Sequence, residues 1–581
     1  MRSWRSLALP GGVLLLTSVV LVLPQLISNM PIIGIDALFH FNRFYDIAEQ
    51  MKHGQFNYFM SEYGYQHSGR IVTPLYGPWL SYLMGFILML IPNWFWFEIV
   101  TDIAILLVAG VGIYRLGRYL KSSRYASLVS AVIYMALPLT TTWQTSQSFT
   151  GIGAALLPYV VYYGIAMAKQ PTTFSWVGLA ISLAVLTQSH LFTALLGVLV
   201  LGVLVLGILF VVTVIGKNKA TIIALMQRLL KAVVLYGLLV ANVLVGMADV
   251  MGSNQILTPY TPLDISREGM RITLSQSPTL RNYSWLGIIA VVVLIVAVLV
   301  YRKLAREYRF LFWLAVVFFS LSLTVFPWNA IQQIEPTIVD TMQFPSRLSV
   351  VSNVALVLLL PRLLVVPDVQ KHLNRQLRLV IVMIAIVVPV AISSGILAKS
   401  AHRLHTDELV HVTKHTAFNE TKSKAEIARE WRYGDVQNAL ADVQKATPDY
   451  LVNNGLQSGD NSYDMYMREV IQNPLKVQIT QGNDALTYRW HSQNDNKITV
   501  PVAVYAHSKV ILNGHQVAKP QTTRIGTLQV RPRVGQNNVT ISYDVSPVIK
   551  MIILGNAVLW IGLVIFMIVK TIWRNGYQIK V

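Results

Sequence analysis

Apolar runs close to twenty residues long recur along this chain and restrict its fold more than any other feature. They fall at about 8–28, 74–92, 97–115, 125–141, 150–168, 175–190, 191–215, 231–248, 284–301, 310–326, 346–365, 379–398 and 549–570. A helix of about 20 apolar residues matches the hydrocarbon thickness of a bilayer. A soluble domain could not bury so many of them. With 54% hydrophobic and 13% charged residues and a mean hydropathy of +0.51, the chain falls in the polytopic α-helical membrane class. The expectation is about 12–13 transmembrane helices.

The formal charge is +20. Lys and Arg flank the apolar runs instead of forming one stripe, which fits retention of cytoplasmic loops and argues against nucleic-acid binding. "KNK" (217–219), "RKLAREYR" (302–309), "KHLNRQLR" (371–378) and the tail "KTIWRNGYQIKV" read as cytoplasmic. The loops at 249–283 and 327–345 and the region 399–548 then fall outside. The first run follows Arg2 and Arg5 and has no clear small-x-small cleavage site, so it reads as a retained signal-anchor. Counting every run as a crossing would put "YRLGRYLKSSR" (114–124) outside, against its charge. One element between 74 and 168 therefore fails to cross. The candidate is 74–92, which carries Pro74, Gly77, Pro78 and Gly85 and leads into "PNWFWF". Cys is absent, which excludes disulfides, thiolate zinc sites and Cys nucleophiles.

Region 399–548 is different in kind. Its first part, about 403–445, has a helical pattern. Its second part alternates with period 2 in "LKVQIT", "ALTYRWHS", "KITVPVAVYA", "KVILNG", "TLQVRP" and "NNVTISYDV". Such runs, separated by "NG", "GQNN" and "QND", predict a small antiparallel β-sandwich. The chain divides into a membrane domain 1–398 with an outer loop 29–73, an extracytoplasmic α+β domain 399–548, and a final helix with a cytoplasmic tail, 549–581. There is no internal repeat.

Chemistry concentrates beside the first span, in "GIDALFHFNRFYDIAEQ" (34–50). Asp36, His40 and Arg43 follow i, i+4, i+7 spacing and share one face of a helix. Phe39, Phe41 and Ile47 would bury another face in the membrane interface. A carboxylate, an imidazole and a guanidinium together suit acid/base work beside a phosphate, although an ordinary charged interfacial helix has the same pattern. "SEYGYQHSGRIVTPLYGPW" (61–79) offers Tyr63, Tyr65 and His67 for sugar stacking and Arg70 for a phosphate, or else a Tyr-rich interfacial belt. His190 lies between two apolar runs, either facing a cavity or hydrogen-bonded in the fold. Glu335 and Arg347 sit in an outer loop. A positive charge at the outer start of a span suits an anion or ordinary headgroups. Walker A, GxSxG, HExxH and DxD patterns are absent, so no nucleotide-sugar or zinc site is visible. Group transfer on the outer face would need a membrane-borne activated donor.

The stretch "GIDALFHFNRFYDIAEQMKHGQFNYFMSEYGYQHSGRIVTPLYGP" resembles the first outer loop of a bacterial family labelled "6-pyruvoyl-tetrahydropterin synthase-related, membrane domain", and is similar to GT-C-type glycosyltransferases of the cell envelope. Asp36, Phe39-His40, Arg43, Ile47-Ala48, Gly54-Gln55-Phe56 and Tyr63-Gly64 carry the resemblance. "QFPSRL" (343–348) and "SHLFTAL" (189–195) extend it, whereas "TPDYL" (447–451) departs from the family's "EYLP". The resemblance implies a polyprenyl-phosphate-linked sugar as donor and transfer on the outer face of a bacterial plasma membrane. The acceptor would be a cell-wall, teichoic-acid-type or other glycan. It also implies a first-loop carboxylate as general base, here Asp36, with His40 orienting it or binding sugar and Arg43, Arg70 and Arg347 as candidates to hold the lipid phosphate. Tyr63, Tyr65, His67, His190 and Glu335 would line the sugar or acceptor site, with no metal and no further cofactor. A flippase for lipid-linked precursors, or a non-catalytic scaffold, would use the same outer surface without making a bond.

Overall fold

The structure is a computed structural model that describes residues 2–216, 219–274, 282–457, 459–482 and 484–579. Two residues of "KNK", part of the loop 249–283 and the last two residues of the tail lie outside the described residues. The membrane part is built from α1 Arg2–Ser28, α2 Ala37–Lys52, α3 Pro78–Leu90, α4 Trp94–Tyr119, α5 Arg124–Met135, α6 Thr142–Ser146, α7 Phe149–Lys169, α8 Trp176–Thr187 and α9 Leu191–Phe210. It continues with α10 Lys219–Leu239, α11 Ala241–Ser253, α12 Ser284–Leu299, α13 Arg306–Ser322, α14 Trp328–Ile334, α15 Ile338–Met342, α16 Ser349–Leu363, α17 Pro367–His372 and α18 Arg375–His402. Helices α19 Lys424–Tyr433, α20 Val436–Asp442 and α21 Ser462–Tyr466 belong to the C-terminal region, and α22 Pro547–Ile579 follows it.

Among the described residues, eight helices are long and apolar enough to cross a membrane: α1, α4, α7, α9, α10, α16, α18 and α22. The shorter α5, α8, α12 and α13 pack against α4, α10 and α16. One end of the bundle is basic. There Ser122 meets Tyr308 at 2.7 Å, Lys169 pairs with Glu307 at 3.0 Å, and Lys303 pairs with Asp368. The stretch 114–124 thus joins 302–309 and 371–378 on one side, which the positive-inside rule assigns to the cytoplasm. The charge conflict is resolved by α3. Gly77, just before it, lies against the Ser189 carbonyl at the outer end. Asn93, just after it, donates to the carbonyl of Arg432 in the C-terminal domain at 3.0 Å. Both ends of α3 are therefore on the outer side.

Two expected spans are redrawn. The run 231–248 is broken between α10 and α11, and the crossing helix is α10, which begins at Lys219. Arg228 in α10 donates to the Phe174 carbonyl at 2.8 Å, so a charge that lowers the hydropathy of this segment is satisfied inside the protein. The run 125–141 stops being helical at Met135, just ahead of Pro138, because the residue before a proline is driven from helical geometry.

The C-terminal domain pairs β1 Thr416–Phe418 with β2 Val443–Lys445, then forms β3 Gln478–Gly482, β4 Ala485–Ser492, β5 Ile498–Ala503, β6 Ser508–Leu512, β7 His515–Gln516, β8 Gln521–Thr522, β9 Thr527–Val530 and β10 Gly535–Tyr543. A five-stranded antiparallel sheet in the order β3-β4-β10-β6-β7 accompanies a three-stranded one, β5-β9-β8. Period-2 burial puts Leu486, Tyr488 and Trp490 of β4 inside with Val539 and Ile541 of β10. This core is continuous with the outer loop: Tyr58, Phe59, Met60 and Ile71 pack into it.

The domain also docks on the bundle through α19. Arg432 donates to the Asn29 carbonyl at 2.7 Å and to Asn29 Oδ1 at 2.6 Å, and its guanidinium lies 4.0 Å from the Phe95 ring centroid. Arg432→Ala should lower stability by about 1.5–3 kcal/mol, since hydrogen bonds to a charged group carry that weight. Thermal unfolding in detergent checks it.

Candidate functional site

Asp36 occupies the N-cap position of α2, with φ −98° and ψ −1°, yet its carboxylate does not cap the helix. An N-cap Asp ordinarily accepts an amide N–H from the first turn. Here the carboxylate is left for other groups. Ser148 and the charges of Lys445 and Arg347 act on it. Lys445 Nζ donates to the Ile35 carbonyl at 2.9 Å, which fixes the ammonium next to Asp36. Burial raises the Asp36 carboxyl above its ordinary range, and the two cations and Ser148 draw it back.

Helix α2 is not the interfacial helix that its pattern suggests. Twelve of its sixteen residues are buried, including Phe41 and Ile47. The cause is the loop that follows. Asp46 Oδ1 accepts the amide N–H groups of Glu62 and Tyr63 at 2.7 Å and of Gly64 at 3.2 Å, while Asn42 Oδ1 accepts that of Tyr65 at 2.7 Å. Polar positions that would face headgroups bind the loop, so the helix lies between bundle and C-terminal domain. Gly64 is needed in this wrap, because a Cβ there would come within 2.4 Å of the Asn42 carbonyl oxygen.

One turn into α2, His40 is buried and stacks on Phe149 at 4.0 Å, almost parallel. Burial, then the charges of Arg43 and His190, hold it well below the ordinary imidazole range. Its Nδ1 has no hydrogen-bond partner. Arg43 is 1% exposed. One of its N–H groups donates to the Tyr76 carbonyl, and its guanidinium lies 5.4 Å from the Tyr76 ring and 5.8 Å from Phe149. Nε and Nη1 of Arg43 have no partner. A buried guanidinium with unused donors is suited to an anion.

His190 caps α9, its Nδ1 facing Thr193 Oγ1 at 2.7 Å. Burial and the charge of Arg347 push it down to about 3. Its ring is 6.3 Å from Tyr76. Arg347, half-buried, is hydrogen-bonded to Gln343 Oε1 at 3.0 Å and lies 4.6 Å from the Phe344 ring. The far wall comes from the C-terminal domain. Tyr450 stacks near Tyr76 at 6.4 Å and Phe39 at 6.2 Å. Asp449 is raised to about 6, chiefly by burial, against the opposing pull of Arg70 and with a push from Asp36.

Asp36, His40, Arg43, His190 and Arg347 are thus brought together, although they come from three distant parts of the chain. Tyr65 and Arg70 lie alongside in a supporting position. Arg70 sits 4.3 Å from the Tyr65 ring and 5.6 Å from Tyr466, and donates to Thr447 Oγ1 at 2.9 Å and to the Asp449 carbonyl. It holds the 447–449 segment in place. Tyr63, His67 and Glu335 are elsewhere. Tyr63 donates to Gln55 and stacks on His53, because the loop amides around it are tied to Asp46. His67 faces the Glu62 carbonyl at 2.8 Å and Gln481 of β3 at 3.0 Å. Glu335 is exposed and accepts from Thr337.

Lys445, Asp449, Tyr450 and Ser148 are absent from the sequence reading of the site. "TPDYL" holds two of them, and its departure from the family pattern left it without a role. Lys445 was hidden in a region read as helical that forms β2 instead. A small apolar crevice of about 60 Å³ lies elsewhere, between α5, α12 and α16. The functional reading rests on the polar cluster, since unused donors and converging cations bear on chemistry and void size does not.

No protein-family model matches the chain, and no curated protein matches its sequence. The 6-pyruvoyl-tetrahydropterin synthase-related resemblance therefore has no family-model match behind it. Among solved structures, the chain is similar to the arabinosyltransferase EmbB from Mycobacterium smegmatis, at 11% identity and a TM-score of 0.37. The match covers 94% of this chain and 64% of EmbB. A likeness of this size assigns no residue role and no activity.

Proposed function

We propose that this protein is a membrane glycosyltransferase of the outer face, moving a sugar from a polyprenyl-phosphate carrier to a cell-envelope glycan such as a cell-wall or teichoic-acid-type polymer. The observation that supports this most is the Asp36 carboxylate, released from capping and set beside Lys445 and Arg347 at the outer end of the bundle. In this reading Asp36 takes the proton of the acceptor hydroxyl as that oxygen bonds to the sugar's anomeric carbon. The bond from that carbon to the phosphate oxygen breaks, and the phosphate leaves with the electron pair. Arg347, Lys445 and the unused N–H groups of Arg43 stabilise its charge in a partly desolvated site. His40 and His190, both held neutral, orient hydroxyls without repelling the cations. The setting is a bacterial plasma membrane.

The test is mass spectrometry of envelope polymers with and without the protein. Loss of one hexose or N-acetylhexosamine per repeat is expected on deletion. An unchanged polymer would remove the proposal, and undecorated polymer with precursor stranded inside would favour a flippase.

The reading also sets a pH dependence. A base must be deprotonated, and both Asp36 and Asp449 are raised, Asp449 to about 6. The rate should therefore fall as pH drops from neutral, with an acid limb above the ordinary Asp range that belongs to the pair. Burial holds both imidazoles well below their ordinary range, so no imidazole inflection should appear near pH 6.5. A kcat/KM profile across this range checks both. Asp449→Asn should move the limb to lower pH by removing a like charge.

A further inference from the structure

Between the end of α1 and Asp36 the chain runs as a strap without helix, residues 29–36. It is held on both sides. Arg432 and Lys445 of the C-terminal domain donate to its Asn29 and Ile35 carbonyls. On the bundle side the Ile32 amide donates to Glu98 Oε2 at 2.9 Å, the Gly34 amide to Gln147 Oε1 at 3.0 Å, and the Asp36 amide to the Ser146 carbonyl at 3.0 Å.

Glu98 is the common support. It lies near the outer start of α4 and is 1% exposed. Gln25 at the end of α1 donates to its Oε2, and Gln147 Nε2 approaches its Oε1 at 3.5 Å. All of these partners are amides, and no Lys or Arg pairs with Glu98 among the described ion pairs. A buried carboxylate without a cation is costly to desolvate. Here it joins three separate pieces: the end of α1, the strap, and the turn in which Gln147 takes the left-handed conformation, φ 53°. That turn includes Ser146, whose carbonyl accepts the Asp36 amide, and leads directly into Ser148, which acts on the Asp36 carboxylate. Gly34 is confined by the same turn. A Cβ there would come within 2.3 Å of Gln147 Oε1 and 2.5 Å of Ser146 Cα.

We propose that Glu98 is a positioning residue that, through the strap and the Gln147 turn, fixes where the Asp36 carboxylate stands. It touches no reacting atom. The kinetic side of this proposal rests on the glycosyltransferase reading; the structural side does not.

The experiment uses the full chain in lipid nanodiscs with two variants, Glu98→Gln and Gly34→Ala. Backbone hydrogen exchange is followed in 30–37 and in α4 and α7, and transfer kinetics are measured in parallel. Both variants should raise exchange in 30–37 by about tenfold while α4 and α7 keep wild-type protection. They should lower kcat by about tenfold or more, with KM within about twofold. Unchanged exchange in 30–37 would overturn the proposal. A uniform rise through the bundle would also overturn it, reducing Glu98 to general stability. If the wild type transfers no sugar, the glycosyltransferase reading falls and the exchange result still decides the role of Glu98.

Discussion

Asp36→Asn should reduce glycosyl transfer by about 10²–10⁴-fold, the range that a positioned general base supplies. The protein should remain folded, for a specific reason. Asn is as good an N-cap residue as Asp, and the Asp36 side chain makes no capping bond to lose. Substitution removes a charge that burial already disfavours and takes one carboxylate away from Lys445 and Arg347. Donor affinity should therefore hold or rise, because a phosphate would meet less negative charge. The expected signature is a collapse of kcat at unchanged or lower KM, with wild-type thermal unfolding. Turnover at the wild-type rate would take Asp36 out of the base role.

Arg347→Gln should lower kcat by about 10²–10³-fold, the weight of one fixed donor to developing charge in a dry site. Arg347 acts on Asp36, Tyr76 and His190 at once. Its charge thus reaches the start of α2, the turn before α3 and the cap of α9 together. Its contacts to Gln343 and Phe344 introduce a second effect, loosening of the 343–347 turn. Arg347→Lys separates the two. It keeps the charge and loses the planar fork, so it should recover part of kcat if electrostatics dominate. Equal loss in both variants would mean that the turn geometry matters more than the charge. Its neutralisation should also let His190 rise from about 3, visible as an imidazole shift by NMR.

The membrane bundle was legible because bilayer thickness imposes a length on apolar runs. Reading failed where charge is satisfied internally, as at Arg228 in α10, and where a proline ended a helix early, as before Pro138. The short α3 was legible from two signals: the charge of 114–124 required one element between 74 and 168 not to cross, and Pro74, Gly77, Pro78, Gly85 and the following "PNWFWF" singled out 74–92. The sandwich strands followed from period 2 in "ALTYRWHS" and "NNVTISYDV". The site was half legible. Spacing placed Asp36, His40 and Arg43 on one helix, but it could not show that Asn42 and Asp46 would bind the following loop and bury that helix. For the same reason Tyr63 and His67 looked like a sugar platform, whereas they support the loop and β3. Lys445 and Asp449 lie some four hundred residues from Asp36, and no local pattern signals such a pairing.

The most direct measurement is transfer by the purified protein in vesicles, supplied with a labelled sugar on polyprenyl phosphate and an envelope glycan acceptor. The expected result is labelled glycan together with an equal amount of released polyprenyl phosphate, both lost in Asp36→Asn. Labelled precursor that crosses the vesicle membrane with its sugar still attached, and no polyprenyl phosphate released, would contradict bond-making at Asp36.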